Sequence, residues 1–376
     1  MDTRTRGAEL YDAKTLLALA AGFDLPEPPI AVAPLGQGLI NATFALDTGS
    51  GRYVLQRVNR KVFPHPERIM ANWGVLAEHL AKHPDPGIGI PTPIPARDGT
   101  AFALDGDGQL WRLMERIPEA VNLTQVTTEA QGREVGFALG RFHRLLAGLD
   151  PARMAVTLPG FHVTPTYLEQ LDRALADRPP DTRDAALNQA LAEVERRRDL
   201  ADSLEGARRA GRIPLRVTHG DPKLDNILFH RGDGRALALI DLDTIQPGLI
   251  QHDLGDCLRS CCNRQGESAT HEGVRFDLDC ATAILSAYAA EMRDLLGAAE
   301  LASLYDGIRL IPFELGVRFL ADHLAGDRYF RVTRRGENLT KALTQFALAS
   351  DIERQENEIR SLIRDAFGQP RPPRPI

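Results

Sequence analysis

Val217-Thr218-His219-Gly220-Asp221-Pro222-Lys223-Leu224-Asp225-Asn226-Ile227-Leu228 is followed, after a Gly232-Asp233-Gly234 turn, by Ala236-Leu237-Ala238-Leu239-Ile240-Asp241-Leu242-Asp243. Apolar runs flank a polar loop, so buried strands should hold that loop rigidly. The loop offers Asp221, then Asn226 five residues on. A hairpin returns the chain and delivers Asp241 beside them. Phosphoryl transfer needs a carboxylate to take a hydroxyl proton, and hard oxygen ligands to hold Mg2+ on phosphates. Asp221 is therefore the candidate catalytic base, with Asn226 and Asp241 as candidate Mg2+ ligands. His219-Gly220-Asp221 alone reads equally well as a turn, because Asp and Gly favour turns on their own. Asn226 and Asp241 move the reading to chemistry.

Working outward, residues 30–117 read as strand-rich. Ile30 to Pro34 runs into Gly36-Gln37-Gly38, and Ile40 to Leu46 alternates with the period of a strand. Arg52 to Val58 follows after a turn cluster, then a helix from Arg68 to His83. Thr100–Leu104 and Gln109–Ile117 make a second hairpin around Asp105-Gly106-Asp107-Gly108. A glycine-rich turn lets backbone N–H groups approach phosphates, which makes Gly36 and Gly38 candidates for nucleotide contact. The motif GxxxxGK[ST] is absent, which argues against a Walker-type nucleotidase.

From about Thr128 the period turns helical, with Val135, Leu139, Phe142, Leu145 and Leu146 on one face. Helices are expected at Thr166–Ala176, Arg183–Leu204, Phe276–Leu296, Leu304–Leu324 and Glu337–Ala366, with strands only between Leu215 and Ile245. Asp253-Leu254-Gly255-Asp256 should open another helix. There Asp256 would favour the dipole and Asp253 would brace the catalytic loop. The pattern is α+β and bilobal: a small antiparallel-sheet lobe, residues 1–117, and a larger helical lobe, residues 118–376, with a cleft between them.

Composition sets limits. The 376 residues are 43% hydrophobic and 26% charged, with a net charge of −6. No basic excess points to nucleic acid. No apolar run approaches the roughly 18–20 residues of a membrane span, and no obligate protein partner is evident. The lack of a targeting signal suggests the cytoplasm. Three of the four cysteines cluster at Cys257, Cys261 and Cys262. They read as buried helix residues in a reducing compartment, or with His252 and His271 as a metal site.

The order His219-Gly220-Asp221, Asn226, Asp241 resembles the signature of the aminoglycoside phosphotransferase and choline kinase superfamily, H-G-D-x-x-x-x-N followed by I-D. The chain is similar to one branch in particular, the N-acetylhexosamine 1-kinases. The similar stretches are Gly36–Phe44, Tyr53–Phe63, Ile213–Gly255 and Glu314–Phe330. The resemblance implies a protein-kinase-like fold, ATP and Mg2+ in the cleft, and a small-molecule hydroxyl acceptor, in that branch a sugar. It places Arg318 and Tyr329 on the sugar. Protein kinases carry a lysine on the third strand; here the slot holds Gln56, with Arg57 pointing to the other sheet face. Leu39 stands where the branch has histidine. The hinge stretch Arg112–Ile117 would meet a purine through backbone groups, with Glu115 and Ile117 as candidates. Other readings are a kinase for an aminoglycoside, choline or other sugar, with Asp256, Asp322 or Glu314 meeting a cationic acceptor. A nucleotide-binding regulator without activity is another. A metallohydrolase built on His219, Asp221, Asp241 and Asp243 is the last.

Overall fold

The structure is a computed structural model describing residues 11–36, 40–84, 87–176, 184–266, 271–330 and 332–368. Helix α1 (Ala13–Ala20) is capped by Asp12, whose Oδ1 accepts the Thr15 N–H at 2.9 Å. Strands β1 (Ala31–Pro34), β2 (Ala42–Asp47) and β3 (Arg52–Arg57) form a meander. Helix α2 (Glu67–Lys82) comes next, then β4 (Pro93–Ile94), β5 (Ala103–Leu104) and β6 (Leu110–Glu115). The sheet order is β1-β2-β3-β6-β4, with β5 also on β6, and every pair is antiparallel.

Alternation gives this sheet two faces. Phe44, Leu46, Leu55, Trp111 and Leu113 pack with Leu16 and Ala20 of α1 in one apolar core. The other face carries Gln56 and Arg112, which are register partners on β3 and β6. Arg112 stacks over Trp73 of α2 at 5.1 Å. Arg57 faces away, as the period requires, and its Nη1 donates to the Tyr11 hydroxyl at 2.6 Å.

The remainder is mainly helical: β7 (Ala120–Val121), α3 (Glu129–Leu146), α4 (Thr164–Ala176), α5 (Ala185–Arg197) and α6 (Ser203–Arg209). Then come β8 (Arg216–Thr218), β9 (Ile227–His230), β10 (Ala236–Leu239), β11 (Gln246–Gly248) and α7 (Ile250–Cys261). The chain ends in α8 (Leu278–Met292), α9 (Ala298–Ala302), α10 (Leu304–Leu324), α11 (Glu337–Arg354) and α12 (Glu356–Gly368). The α+β, protein-kinase-like reading of the sequence holds. Strands extend beyond the expected window, since β7 pairs with β9 and β11 pairs with β8. Elements of two or three residues are too short to show a period.

Two long helices expected from the sequence are each two helices. The first breaks after α5, where the buried Arg197 is pinned by Glu193 (2.5 Å) and Glu353 (2.8 Å) and its φ leaves the helical range at −117°. The second breaks at Gln355, whose Nε2 donates to the Phe276 carbonyl at 3.1 Å. Helix α7 begins at Ile250, earlier than expected, so Asp253 lies in its first turn and Asp256 beyond it. Asp256 pairs with Arg259 at 2.8 Å instead of serving the helix end. Helices α7 and α10 cross closely: a Cβ on Gly307 would sit 2.2 Å from the Gln251 carbonyl oxygen. That crossing sets the residues of α10 beside the catalytic loop. Among the described residues no helix is long and apolar enough to cross a membrane. The four cysteines are all buried thiols, and among the described residues no group of three or more His, Cys, Asp or Glu side chains is arranged to hold a metal.

Candidate active site

Asp221 leaves β8 through His219 and Gly220, and three contacts fix that passage. Asp253 accepts the backbone N–H groups of His219 (Oδ2, 2.7 Å) and Gly220 (Oδ1, 2.9 Å). Its Oδ2 also meets His143 Nε2 at 2.8 Å, and His143 Nδ1 lies 2.9 Å from the Tyr288 hydroxyl. Burial works to raise the Asp253 pKa, but the hydrogen bond and charge of His143 outweigh it and the net direction is down. Gly220 lies at φ +86°, where a Cβ would sit 2.8 Å from the Thr244 carbonyl oxygen. Only glycine fits there.

His219 ties this loop to the next strand. Its Nε2 donates to the Ile240 carbonyl at 3.0 Å, which leaves Nδ1 to accept the Asp221 N–H at 3.3 Å. Burial pushes its pKa down, in keeping with that neutral tautomer. Asp241 follows Ile240 at φ +66°, a left-handed conformation that ends the strand. Enclosure by protein, then the Asp243 and Asp221 carboxylates, push Asp241 up to about 7. Its side chain stays open to water, unlike that of Asp243.

Asn226 reaches back to Asp221, donating from Nδ2 to the Asp221 carbonyl (2.7 Å) and to its Oδ2 (3.1 Å). That leaves the amide oxygen of Asn226 without a hydrogen bond among the described residues. Asn226 and Asp241 are hard oxygen donors, and the crowded Asp241 carboxylate makes no ion pair of its own among the described residues, although Lys223 and Arg112 temper its charge. This donor set fits a Mg2+ ion that takes its remaining ligands from phosphate and water.

Lys223 was not singled out in the sequence. Its Nζ lies 2.6 Å from Asp221 Oδ2. Enclosure raises the Asp221 pKa, the Lys223 charge outweighs it, and the net direction is down. The signal was present in Asp221-Pro222-Lys223: a cation two residues past the base, within the same rigid loop. Gln56, in contrast, is tied up. Its Nε2 donates to Thr43 Oγ1 (3.0 Å) and its Oε1 accepts from Arg112 Nε (2.9 Å). Arg112 also pairs with Asp243 at 2.5 Å, both being nearly inaccessible. Asp243 takes a further bond from Asn41 Nδ2 at 2.7 Å. With Asp243 and both nitrogens of His219 engaged, only Asp221 and Asp241 of those four residues keep free donor oxygens for a hydrolytic metal centre.

The remaining candidates fall in three places. Gly36 lies two residues past β1 at φ +71°, while Gly38 and Leu39 lie outside the described residues. Glu115 and Ile117 line a cavity of about 640 Å3 with Gly89–Ile94, His230 and Leu237. Neither Gln56 nor Asp221 lines that cavity. Arg318, on α10, has its guanidinium among the rings of Tyr167 (5.1 Å), Phe161 (5.4 Å) and Phe330 (5.5 Å). It makes no hydrogen bond or ion pair among the described residues. Tyr329 is 53% exposed, and its ring meets Phe330 at 4.9 Å.

The three acids considered for a cationic acceptor are all engaged. Glu314 is bonded to His162 and Thr164. Asp322 accepts the N–H groups of Arg328, Tyr329 and Phe330. Asp256 is buried against Arg259.

The chain is similar to known proteins over most of its length. Homoserine kinase from Paramagnetospirillum magneticum is 26% identical over 258 residues, covering 65% of this chain and 68% of that one. Homoserine kinase from a Caulobacter species is 27% identical over 312 residues, covering 82% and 85%. Among solved structures, an ethanolamine kinase from Plasmodium vivax superposes with a TM-score of 0.58 at 13% identity, covering 93% and 96%. An aminoglycoside phosphotransferase from Alicyclobacillus acidocaldarius gives 0.57 at 16%, covering 94% and 96%. The family model for APH, the phosphotransferase enzyme family, matches residues 31–292, and the chain belongs to that family of small-molecule phosphotransferases.

Proposed function

We propose that this protein is an ATP-dependent kinase in which Asp221 is the base for an acceptor hydroxyl. The carrying observation is the meeting of Asp221, Asn226 and Lys223 within 2.6–3.1 Å at the end of a doubly braced loop. The acceptor oxygen forms a bond to the γ-phosphorus of ATP as the bond to the ADP oxygen breaks. The acceptor proton passes to the Asp221 carboxylate. Lys223 exchanges Asp221 for the transferring phosphoryl group and supplies the cation absent from the Gln56 slot. Asn226 and Asp241 hold Mg2+, which when bound neutralises phosphate charge. Gly36 and Gln56 would lie along the phosphates. Glu115 and Ile117 mark the purine end, near the boundary between lobes 1–117 and 118–376. Positioning and charge neutralisation carry most of the rate.

For the acceptor, the open Arg318 between aromatic rings and the engagement of nearby acids favour a neutral or anionic molecule over a cationic one. The first reading is the anomeric hydroxyl of an N-acetylhexosamine, giving a sugar 1-phosphate. Its ring would stack on the aromatic walls, and its acetamido oxygen would accept from Arg318, with Tyr329 at the rim. The second reading is an amino-acid alcohol of the homoserine type, with a carboxylate on Arg318. The names and coverage of the homoserine kinases support it. A panel of N-acetylhexosamines, homoserine, choline and an aminoglycoside, assayed with ATP and with GTP by phosphorus NMR, separates these readings. Phosphorylation of choline or the aminoglycoside alone would overturn both. Tight ATP binding without transfer to any acceptor would favour a regulator.

A further inference from the structure

The Gly220 residue is gripped from both sides. Asp253 takes its N–H. On the other side His162 Nε2 lies 2.8 Å from the Gly220 carbonyl oxygen, and His162 Nδ1 lies 2.8 Å from Glu314 Oε1. A backbone carbonyl can only accept. The other Glu314 oxygen accepts from Thr164 Oγ1 at 2.7 Å, so this carboxylate acts as an acceptor throughout. Both ring nitrogens of His162 must then donate, and the ring is an imidazolium. His162 holds a φ of +58°, uncommon for a non-glycine residue, and is 9% exposed. The carbonyl it holds belongs to the same peptide plane as the Asp221 N–H.

Every packed element contributes to this site. Glu314 and Arg318 face the ring from α10, and His252 faces it from α7 with ring centres 5.1 Å apart. Phe161 has its ring centre 4.0 Å away, and the Tyr167 hydroxyl of α4 accepts from the His162 backbone N–H. Burial lowers the His162 pKa and Arg318 adds to that, but the Glu314 charge and hydrogen bond outweigh both and the net direction is up. Burial raises the Glu314 carboxyl, yet the His162 charge holds it down to about 2. Burial and the His162 charge push His252 to about 3, so it stays neutral.

We propose that His162, held by Glu314, is a positioning residue that fixes the Gly220–Asp221 peptide and so aims the catalytic carboxylate. This rests on Asp221 being the base. The test compares His162→Gln, which keeps a donor at the ε position, with His162→Asn, which keeps one only at the δ position. Turnover is measured with the best acceptor of the panel. His162→Asn should lose roughly 100-fold in kcat, as a misplacement near 1 Å does. The KM for ATP should stay within about threefold, because only positioning is lost. His162→Gln should recover most of that loss. Wild-type kcat should fall at alkaline pH as the imidazolium loses its proton. Glu314→Gln should remove that limb, because an amide can donate to a neutral ring.

Nitrogen-15 histidine NMR should show both His162 nitrogens protonated at neutral pH, assigned by their loss in His162→Asn. A singly protonated ring overturns the clamp. So does equal kcat in the Gln and Asn variants while Asp221→Ala is inactive. Retained turnover in Asp221→Ala instead overturns the base assignment on which the clamp stands.

Discussion

Asp253 and Arg318 are charged residues on the two sides of the same loop, and their surroundings are opposite. Asp253 accepts from two backbone amides and meets a histidine, with both oxygens engaged. Arg318 has rings around it and no hydrogen bond among the described residues. A buried charge that is fully bonded holds something in place. A half-buried charge without hydrogen bonds is available to a ligand, because an unmet donor set is costly until something fills it. On the proposed function, the bonded charges, Asp253 on one side and His162 with Glu314 on the other, serve geometry, and Arg318 serves recognition. Substitutions should divide accordingly, into losses of kcat at the bonded residues and of acceptor KM at Arg318.

The largest effect is expected at the point both sides serve. Asp221→Ala should lower kcat by roughly 100- to 10,000-fold, the range for removing a general base. Nucleotide affinity, measured by calorimetry, should change little, because Asp221 is paired with Lys223 in the resting site. A variant with near-normal turnover would break the comparison, since neither side would then be aiming a base.

Asp253→Asn comes next. The amide can accept on one oxygen, while its NH2 would face a backbone N–H. One of the two loop amides therefore loses its partner. Turnover should fall by roughly 100-fold through misplacement of Asp221. Thermal unfolding should drop as well, since breaking a buried charged pair costs about 3–5 kcal/mol. A kcat loss without a change in acceptor KM sharpens the contrast; a pure KM effect would dissolve it.

The same contrast explains what could be read from sequence. The Asp221 loop lies within one stretch of chain, so spacing alone brought Asp221, Asn226 and Asp241 into one reading. Asp253 was within reach because it follows that stretch closely. The surroundings of His162 and Arg318 draw on Phe161, Tyr167, Glu314 and Phe330, which are up to 169 positions apart by their own numbers (330 − 161). No local period links them; the close crossing of α7 and α10 does. Arg318 and Tyr329 came from family resemblance alone. Gln56 posed a question that only the register of β3 and β6 answers, since it seats Arg112 beside it. The helix breaks at Arg197 and Gln355 were hidden for a related reason: each is set by a partner distant in sequence.

Arg318→Ala should act on the open side. Loss of one charge-assisted contact is worth about 1.5–3 kcal/mol, so acceptor KM should rise by roughly 10- to 100-fold. The apparent affinity for ATP should hold. If the acceptor bears a carboxylate, Arg318→Lys should retain part of the affinity as a point charge. Loss of kcat with unchanged acceptor KM would place Arg318 with the bracing residues instead.

The smallest effect is a pH dependence of stability, and it tests whether Glu314 belongs to the bonded side. Its carboxyl is held at about 2, below the ordinary 4.5, so the stability it contributes is present above 4.5 and is lost as pH falls toward 2. His162 is displaced upward from 6.5, so the same interaction seen from the ring is complete below 6.5 and is lost as pH rises through its folded value. Both ends are intact between 4.5 and 6.5. The difference in Tm between wild type and Glu314→Gln should be largest in that window, on the order of a few degrees, and should shrink on either side. An open, ligand-facing Glu314 would show no such window. A flat difference across pH would therefore move Glu314 to the recognition side, next to Arg318.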